Sequence, residues 1–367
     1  MGVSQEAALK ETALASRHRE LGGKMGAFAG FQMPIQYEGT LKECRAVRQT
    51  CGIFDVSHMG TVFVRGVDAS RVLQGLFTND IEKAPVGAAQ YTLLCAPDGG
   101  VIDDLIIFHL AAEDWMIIPN AANVHVVVAE IVAAKARQPG PVRLVVEDVS
   151  AEYGILALQG PRYAEVLASV LPNVSVGRFR LASFDFAGEG VLSGTGYTGS
   201  PGVEIVAPAS SVTRLWDALQ LPLREVGGCP AGLAARDVLR LEMGYPLWGN
   251  DIDRKTSPLE AGLGWAVAFR KGDFRGAEAL RAQREAGVPR MRVALLGEGR
   301  RPLRAGSVVL DSQEAEIGII RSGGFSPLLE RGIGLALVQR AKVPFSIDLR
   351  GRRVAVEVVD LPFVDLS

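Results

Sequence analysis

Two adjacent acids, Asp103 and Asp104, stand inside the otherwise apolar run Val101-Ile-Asp-Asp-Leu-Ile-Ile-Phe108. A carboxylate in such a strand must find water, a partner or a ligand, because burying its charge alone is very costly. Side chains alternate along a strand, so the two acids face opposite sides; one is expected to be solvated while the other lines a cleft. A second β-rich stretch carries Gly202-Val-Glu204, which echoes Gly100-Val-Ile-Asp-Asp. Acids entering from two related hairpins can hold a polar heterocycle between them. Arg236 and Asp237 follow Pro230-Ala-Gly-Leu-Ala-Ala235 early in a helix. An exposed helical ion pair is the plain expectation, although Arg236 also offers a planar donor fork that suits a carboxylate or a heterocycle. Tyr91, Tyr197 and Tyr245 neighbour these features; each alone is a core aromatic.

Other chemistries lack their residues. Gly194-Thr-Gly196-Tyr-Thr-Gly199 matches the dinucleotide fingerprint as a pattern. That fingerprint needs a helix N-terminus directly afterwards to hold pyrophosphate. Here Pro201-Gly202 and then Val203-Glu-Ile-Val206 follow, so a glycine-rich hairpin is expected. His18, His58, His109 and His125 show no ligand spacing, and no metal site is expected. Asn250-Asp-Ile-Asp253 lacks the glycine and closing acid of a calcium loop. No Gly-x-Ser-x-Gly elbow or P-loop lysine is present.

The elements that must position these residues alternate between helix and strand. Apolar spacing predicts helices over 5–22 and 41–49, a strand over 60–66, and a helix from Asp68 through Leu76. Tyr91–Cys95 and Val101–Phe108 flank Pro97-Asp-Gly-Gly100, which is strong turn chemistry. A helix over 123–137, strands near 142–148 and 153–158, and a helix from Pro161 follow. Val64-Arg-Gly66 leading to Leu76, and Leu158-Gln-Gly160 leading to Val170, predict a duplicated α+β unit. After a helix over 274–285, short apolar runs alternate with Gly, Pro, Ser and Asp, which predicts a small barrel or sandwich. Two interleaved α+β subdomains over 1–286, divided near 140–150, and a β-barrel domain over 287–367 are therefore expected.

Bulk properties narrow the function. At 367 residues, 48% apolar and 22% charged, the chain is an ordinary globular protein of more than one domain. A formal charge of -2 gives no global pull towards nucleic acid or an anionic membrane. No apolar stretch approaches the ~18 residues of a membrane span. With no signal-like N-terminus and four scattered cysteines (Cys44, Cys51, Cys95, Cys229), a cytoplasmic protein with reduced thiols is expected.

The pieces, in order, resemble the aminomethyltransferase (T-protein) family of the glycine cleavage system over almost the whole chain. The resemblance rests on Glu20-Leu-Gly-Gly-Lys-Met25, Gly52-Ile-Phe-Asp-Val-Ser-His-Met-Gly60, Gly99-Gly-Val-Ile-Asp-Asp-Leu105 and Asn120-Ala-Ala-Asn123. Thr195-Gly-Tyr-Thr-Gly199, Pro230-Ala-Gly-Leu-Ala-Ala-Arg-Asp237 and Gly323-Gly-Phe-Ser-Pro327 complete it. It implies a three-domain α+β cloverleaf around a central channel, with a C-terminal jelly-roll-like barrel. It also implies transfer of an aminomethyl carbon from the dihydrolipoyl arm of lipoylated H-protein to tetrahydrofolate. The products would be 5,10-methylene-tetrahydrofolate and ammonia. The family's catalytic acid maps to Asp104, and its folate-contacting positions map to Met59, Tyr91, Ile106, Asn120, Tyr197, Glu204, Arg236 and Tyr245.

Relatives commonly carry Arg before Thr-Gly-Tyr-Thr-Gly and Glu after it, where this chain has Gly194 and Ser200, and its end, Pro362-Phe-Val-Asp-Leu-Ser367, is not basic. These departures bear on partner recognition more than on folate binding. The competing expectations are a sibling tetrahydrofolate-dependent demethylase on the same scaffold and a non-enzymatic folate-binding accessory protein. The second would be expected to lack the Asp-Asp or Ala-Arg-Asp segment, and both are present.

Overall fold

A computed structural model describes residues 8–366. The N-terminal segment makes a small sheet of its own. β1 (Lys10–Glu11) pairs in parallel with β3 (Phe31–Gln36), which folds back on β2 (Lys24–Phe28). The helix expected over 5–22 shrinks to α1 (Ala15–Glu20), and residues 5–7 lie outside the described residues. Tertiary bonds override the helical spacing. The Thr12 hydroxyl donates to Asp55 Oδ2 at 2.7 Å, the buried His18 Nε2 lies 2.9 Å from the same oxygen, and the Lys10 N–H donates to the Gly30 carbonyl. These contacts spread the segment over the strand that carries Asp55.

α2 (Thr40–Gln49) leads into that strand, β4 (Gly52–Asp55). Next come β5 (Val62–Arg65), α3 (Ala69–Gln74), β6 (Ala88–Cys95), β7 (Val101–Ala111), β8 (Asp114–Ile118) and α4 (Val124–Ala136). The same succession then recurs. β9 (Val145–Asp148) leads to β10 (Tyr153–Gln159), α5 (Tyr163–Ala168), β11 (Leu181–Asp185), β12 (Glu189–Ser193), β13 (Gly202–Pro208) and α6 (Ala209–Glu225).

Strand order is the same in both copies: β6-β7-β8-β5-β9 in one sheet, and β11-β12-β13-β10-β4 in the other, extended by β14 (Cys229–Pro230). The copies exchange their first strands, since β4 pairs with β10 and β9 with β5. Both crossovers carry Asp-Val-Ser. Asp55 accepts the Ser57 N–H at 2.9 Å, and Asp148 accepts that of Ser150 at 3.0 Å. Each serine hydroxyl oxygen then receives a backbone N–H of the opposite copy, from Ile155 at 2.9 Å and from Thr61 at 3.0 Å.

Helices cover the outer face of each sheet. α3 and α4 close one core around Trp115 and Leu73, and α5 and α6 close another around Trp216 and Leu215. The inner faces meet in a third cluster that includes Phe54, Phe63, Phe108 and Ile155 and is joined by α7 (Leu233–Glu242). Beyond α8 (Ala277–Ala286) the chain closes a six-stranded barrel. Its strands are β15 (Arg290–Gly297), β16 (Val308–Leu310), β17 (Glu316–Ser326), β18 (Arg331–Gln339), β19 (Ser346–Asp348) and β20 (Arg353–Val359). Two buried ion pairs hold α7 between the parts: Arg48–Glu242 at 2.7 Å from α2, and Arg240–Asp251 at 2.7 Å, with Ser322 of β17 2.8 Å from Arg240. The architecture is a three-lobed α+β cloverleaf.

Each repeat turns from strand to helix at a glycine in the left-handed region, Gly66 (φ 128°) and Gly160 (φ 133°). A Cβ there would lie 2.3 Å from the Arg143 carbonyl oxygen and 2.5 Å from that of Thr50. Gly66→Ala and Gly160→Ala should each destabilise by about 2–4 kcal/mol, since backbone must move as well as twist. Gly140→Ala, with φ 81° but nothing within 4 Å, should cost only about 1 kcal/mol. Urea unfolding midpoints of the three variants check the ranking.

Candidate functional site

A cavity of about 1370 Å³ lies where the two inner faces, α7 and the barrel converge, and Asp104 and the eight positions that resemblance maps to folate contacts all line it. Sheet register accounts for much of this. Ile106 on β7 lies opposite Tyr91 on β6 and opposite Ile118 on β8, so these side chains share one face. Asp104 lies two residues back on that face, beside Asn120 just beyond the end of β8. Met59 comes from the crossover between β4 and β5, and Glu204 from β13.

Asp104 has both oxygens engaged. Its Oδ2 accepts the Tyr91 hydroxyl at 3.1 Å, and its Oδ1 accepts Asn120 Nδ2 at 3.0 Å. Burial pushes its carboxyl up to about 6, while those two donors restrain the rise. Asp103 points the other way, as strand alternation requires, but it is not solvated: it is fully buried. Asn120 N–H, Asn120 Nδ2 and Asn123 Nδ2 donate to it at 3.1, 2.8 and 2.7 Å. The polar loop after β8 stands in for water. Burial, and then the neighbouring Asp104 charge, push the Asp103 carboxyl well above the usual carboxylate range, against the pull of those donors.

Across the cavity, Glu204 accepts the Thr195 hydroxyl at 2.5 Å. Its strand is not the counterpart of the one bearing Asp104. Glu204 lies opposite Ala157 on β10 as Met116 lies opposite Phe63 on β5, so Glu204 occupies the place of Met116 in the repeat. The two acids reach the cavity from inequivalent strands. The loop carrying Tyr197 joins β12 to β13 without a helix, and buried Gln159 clamps it by accepting the Thr198 hydroxyl at 2.8 Å and donating to the Val203 carbonyl at 3.2 Å.

The expected ion pair between Arg236 and Asp237 does not form, because successive residues on a helix point about 100° apart. Asp237 pairs instead with Arg240, three residues on, at 2.7 Å. Arg236 turns into the cavity, where its guanidinium carbon sits 4.8 Å from the centre of the Tyr197 ring. Burial lowers its proton affinity and the Glu204 charge opposes that; its Nη1 has no hydrogen-bond partner. Tyr197 stacks on Tyr245 with centroids 6.0 Å apart and donates to the Pro246 carbonyl at 2.5 Å. These tyrosines are cavity wall rather than core.

Trp265, Arg292 and His58 are among the wall residues that the sequence does not mark as such. Trp265, 67% exposed, stacks on Tyr91 at 5.3 Å and extends the aromatic wall to the rim. Arg292 on β15 brings the barrel to the cavity and is tied by Nη1 to the Gly244 carbonyl at 3.0 Å. His58 packs edge-on to Phe28 at 5.2 Å, and burial followed by the Arg236 charge press it down to about 4, so it is neutral at pH 7. Of these three, His58 alone has a local signal, since it precedes Met59 in the crossover.

Among the described residues, no group of three or more His, Cys, Asp or Glu could hold a metal ion, and no helix is long and apolar enough to cross a membrane. All four cysteines are buried and free. The arrangement suits a flat, polar heterocycle: carboxylates and an arginine at its edges, aromatic faces around it, and one acid poised near neutrality.

Residues 14–271 match the family model described as the GCVT N-terminal domain, and residues 290–365 match the glycine cleavage T-protein C-terminal barrel domain. The chain is 42% identical to an aminomethyltransferase of Mycobacterium avium (strain 104), with 99% of each chain covered. It is 41% identical to one from Parafrankia sp. (strain EAN1pec), covering 98% of this chain and 99% of that one. Among solved structures, the glycine cleavage system aminomethyltransferase T from Bartonella henselae superposes with a TM-score of 0.90 at 36% identity, covering 97% and 98% of the two chains.

The Tyr91 hydroxyl stabilises the ionised form of Asp104, and a hydrogen bond to a charged group is worth about 1.5–3 kcal/mol. Tyr91→Phe should therefore raise the Asp104 midpoint by about one pH unit or more. Carboxyl-carbon NMR titration of the wild type and the variant measures the shift.

Proposed function

The chain belongs to the glycine cleavage T-protein family and is an aminomethyltransferase; from that premise we propose that it moves the aminomethyl carbon from the dihydrolipoyl arm of H-protein to tetrahydrofolate. The carrying observation is the Asp104 carboxylate, gripped by Tyr91 and Asn120 on the wall of the central cavity with its proton affinity raised towards neutrality.

The donor holds one carbon between an amine and a sulfur. Bonds to the two folate amines N5 and N10 replace its bonds to nitrogen and sulfur, and the two amine protons end on ammonia and on the lipoyl thiol. No electron is gained or lost, so the protein has to position reactants and manage protons. Asp104 accepts a hydrogen bond from the reacting amines, sharpens their attack, and stabilises the positive charge that builds on nitrogen. With a midpoint of about 6 it is ionised at neutral pH, yet close enough to take up that proton. Glu204 accepts from the paired N–H groups along the pterin's donor edge, as a carboxylate's two oxygens suit them. Arg236 anchors the folate. Tyr91, Tyr197, Tyr245, Met59 and Ile106 wall the ring and limit the water around the reacting carbon.

Asp104→Asn should cut turnover by at least about 10²-fold while tetrahydrofolate still raises the melting temperature. Wild-type-like turnover would remove Asp104 from the mechanism, and no thermal shift at saturating tetrahydrofolate would remove the folate site. Because the ionised acid is the working form, kcat/KM should fall as pH drops through about 6 and stay level just above it. Assaying aminomethylated H-protein beside small methylated donors separates this reaction from demethylation.

A further inference from the structure

We infer that Asn120 and Asp103 are positioning residues that act through Asp104; this rests on Asp104 being the carboxylate that meets the folate amines. Resemblance maps a folate contact to Asn120, which lines the cavity, and its side-chain donors are already engaged within the protein. Its Nδ2 faces three oxygens: Asp103 Oδ1 at 2.8 Å, the Asp104 carbonyl at 2.8 Å and Asp104 Oδ1 at 3.0 Å. A primary amide has two hydrogens, so both are committed and at least one is shared. The amide cannot be turned over, because that would set its own oxygen against those acceptors.

Asp103 fixes the amide in place. Its two oxygens receive both the backbone N–H and the side-chain amide of Asn120, and Asn123 adds a third donor at 2.7 Å. Asp103 is sealed from solvent and from the cavity, so it touches no ligand. Its route to the chemistry runs through the single nitrogen that also holds Asp104. A residue on the dry face of the sheet thereby sets the orientation of a residue on the working face. Loosening either positioning residue leaves Asp104 present but less well aimed, with its charged form less supported.

The test compares wild type, Asp103→Asn, Asn120→Ala and the double variant, using aminomethylated lipoyl carrier and tetrahydrofolate. Each single variant should lower kcat by about tenfold or more while KM for tetrahydrofolate stays within about threefold. In Asn120→Ala the acid limb of kcat/KM should move upward by about one pH unit, because the ionised Asp104 carboxylate loses a donor. The double variant should lose no more than the worse single, since Asp103 works through Asn120. Losses that multiply in the double variant, or an acid limb unmoved in Asn120→Ala, would overturn the inference. Should Asp103→Asn fail to fold, Asn120→Ala decides alone: an unmoved limb there rejects it. If Asp104→Asn itself kept full turnover, the underlying role of Asp104 would fail instead, so the two failures are distinguishable.

Discussion

The structure depends on one awkward fact: two acids occupy consecutive places on a strand that is apolar on both sides. Neither face of the sheet can accept a bare carboxylate, so both need donors. The loop after β8 meets that demand with Asn120 and Asn123, and β6 contributes Tyr91. Satisfying Asp103 on the far side pins the loop, and the pinned loop presents an amide to Asp104 on the cavity side. The packing requirement and the chemistry therefore share the same few hydrogen bonds. A stable strand without the acids would be easier to build, and it would have no reason to keep the asparagines.

Much of this was legible in the sequence, because local chemistry decides it. The glycine-rich turn between β6 and β7, the acid pair, the helix at Thr40–Gln49 and the short-strand run that closes the barrel all follow from spacing and turn residues. The duplicated unit was visible at Gly66 and Gly160. A plainer signal, Asp-Val-Ser at 55–57 and again at 148–150, marks the crossovers themselves. What failed did so for lack of long-range information. The first helix gave way to hydrogen bonds with Asp55, a residue some forty positions away. Arg236 chose the cavity because Asp237 had Arg240 within reach one helical turn on. Trp265 and Arg292 are unremarkable in their own segments and become wall residues only once the barrel packs against the two lobes.

Arg48–Glu242 and Arg240–Asp251 lose much of their Coulomb gain to desolvation, so they add little net stability. Their geometry matters more. They admit one placement of α7 relative to α2 and β17, and Arg236 is carried on that helix. The cavity's shape is thus set by charges that do not themselves react.

The exchange of β4 and β9 between the two copies has a consequence for how such a molecule is made. Each sheet borrows its closing strand from the other half of the chain, so a ribosome that has released only the first half holds a sheet with a raw edge and no partner for it. Assembly must wait until residues beyond Asp148 emerge, and the two halves then mature as one cooperative unit. The same stitching means that the walls of the central chamber cannot drift apart without tearing β-ladders, and so its width is written into the topology.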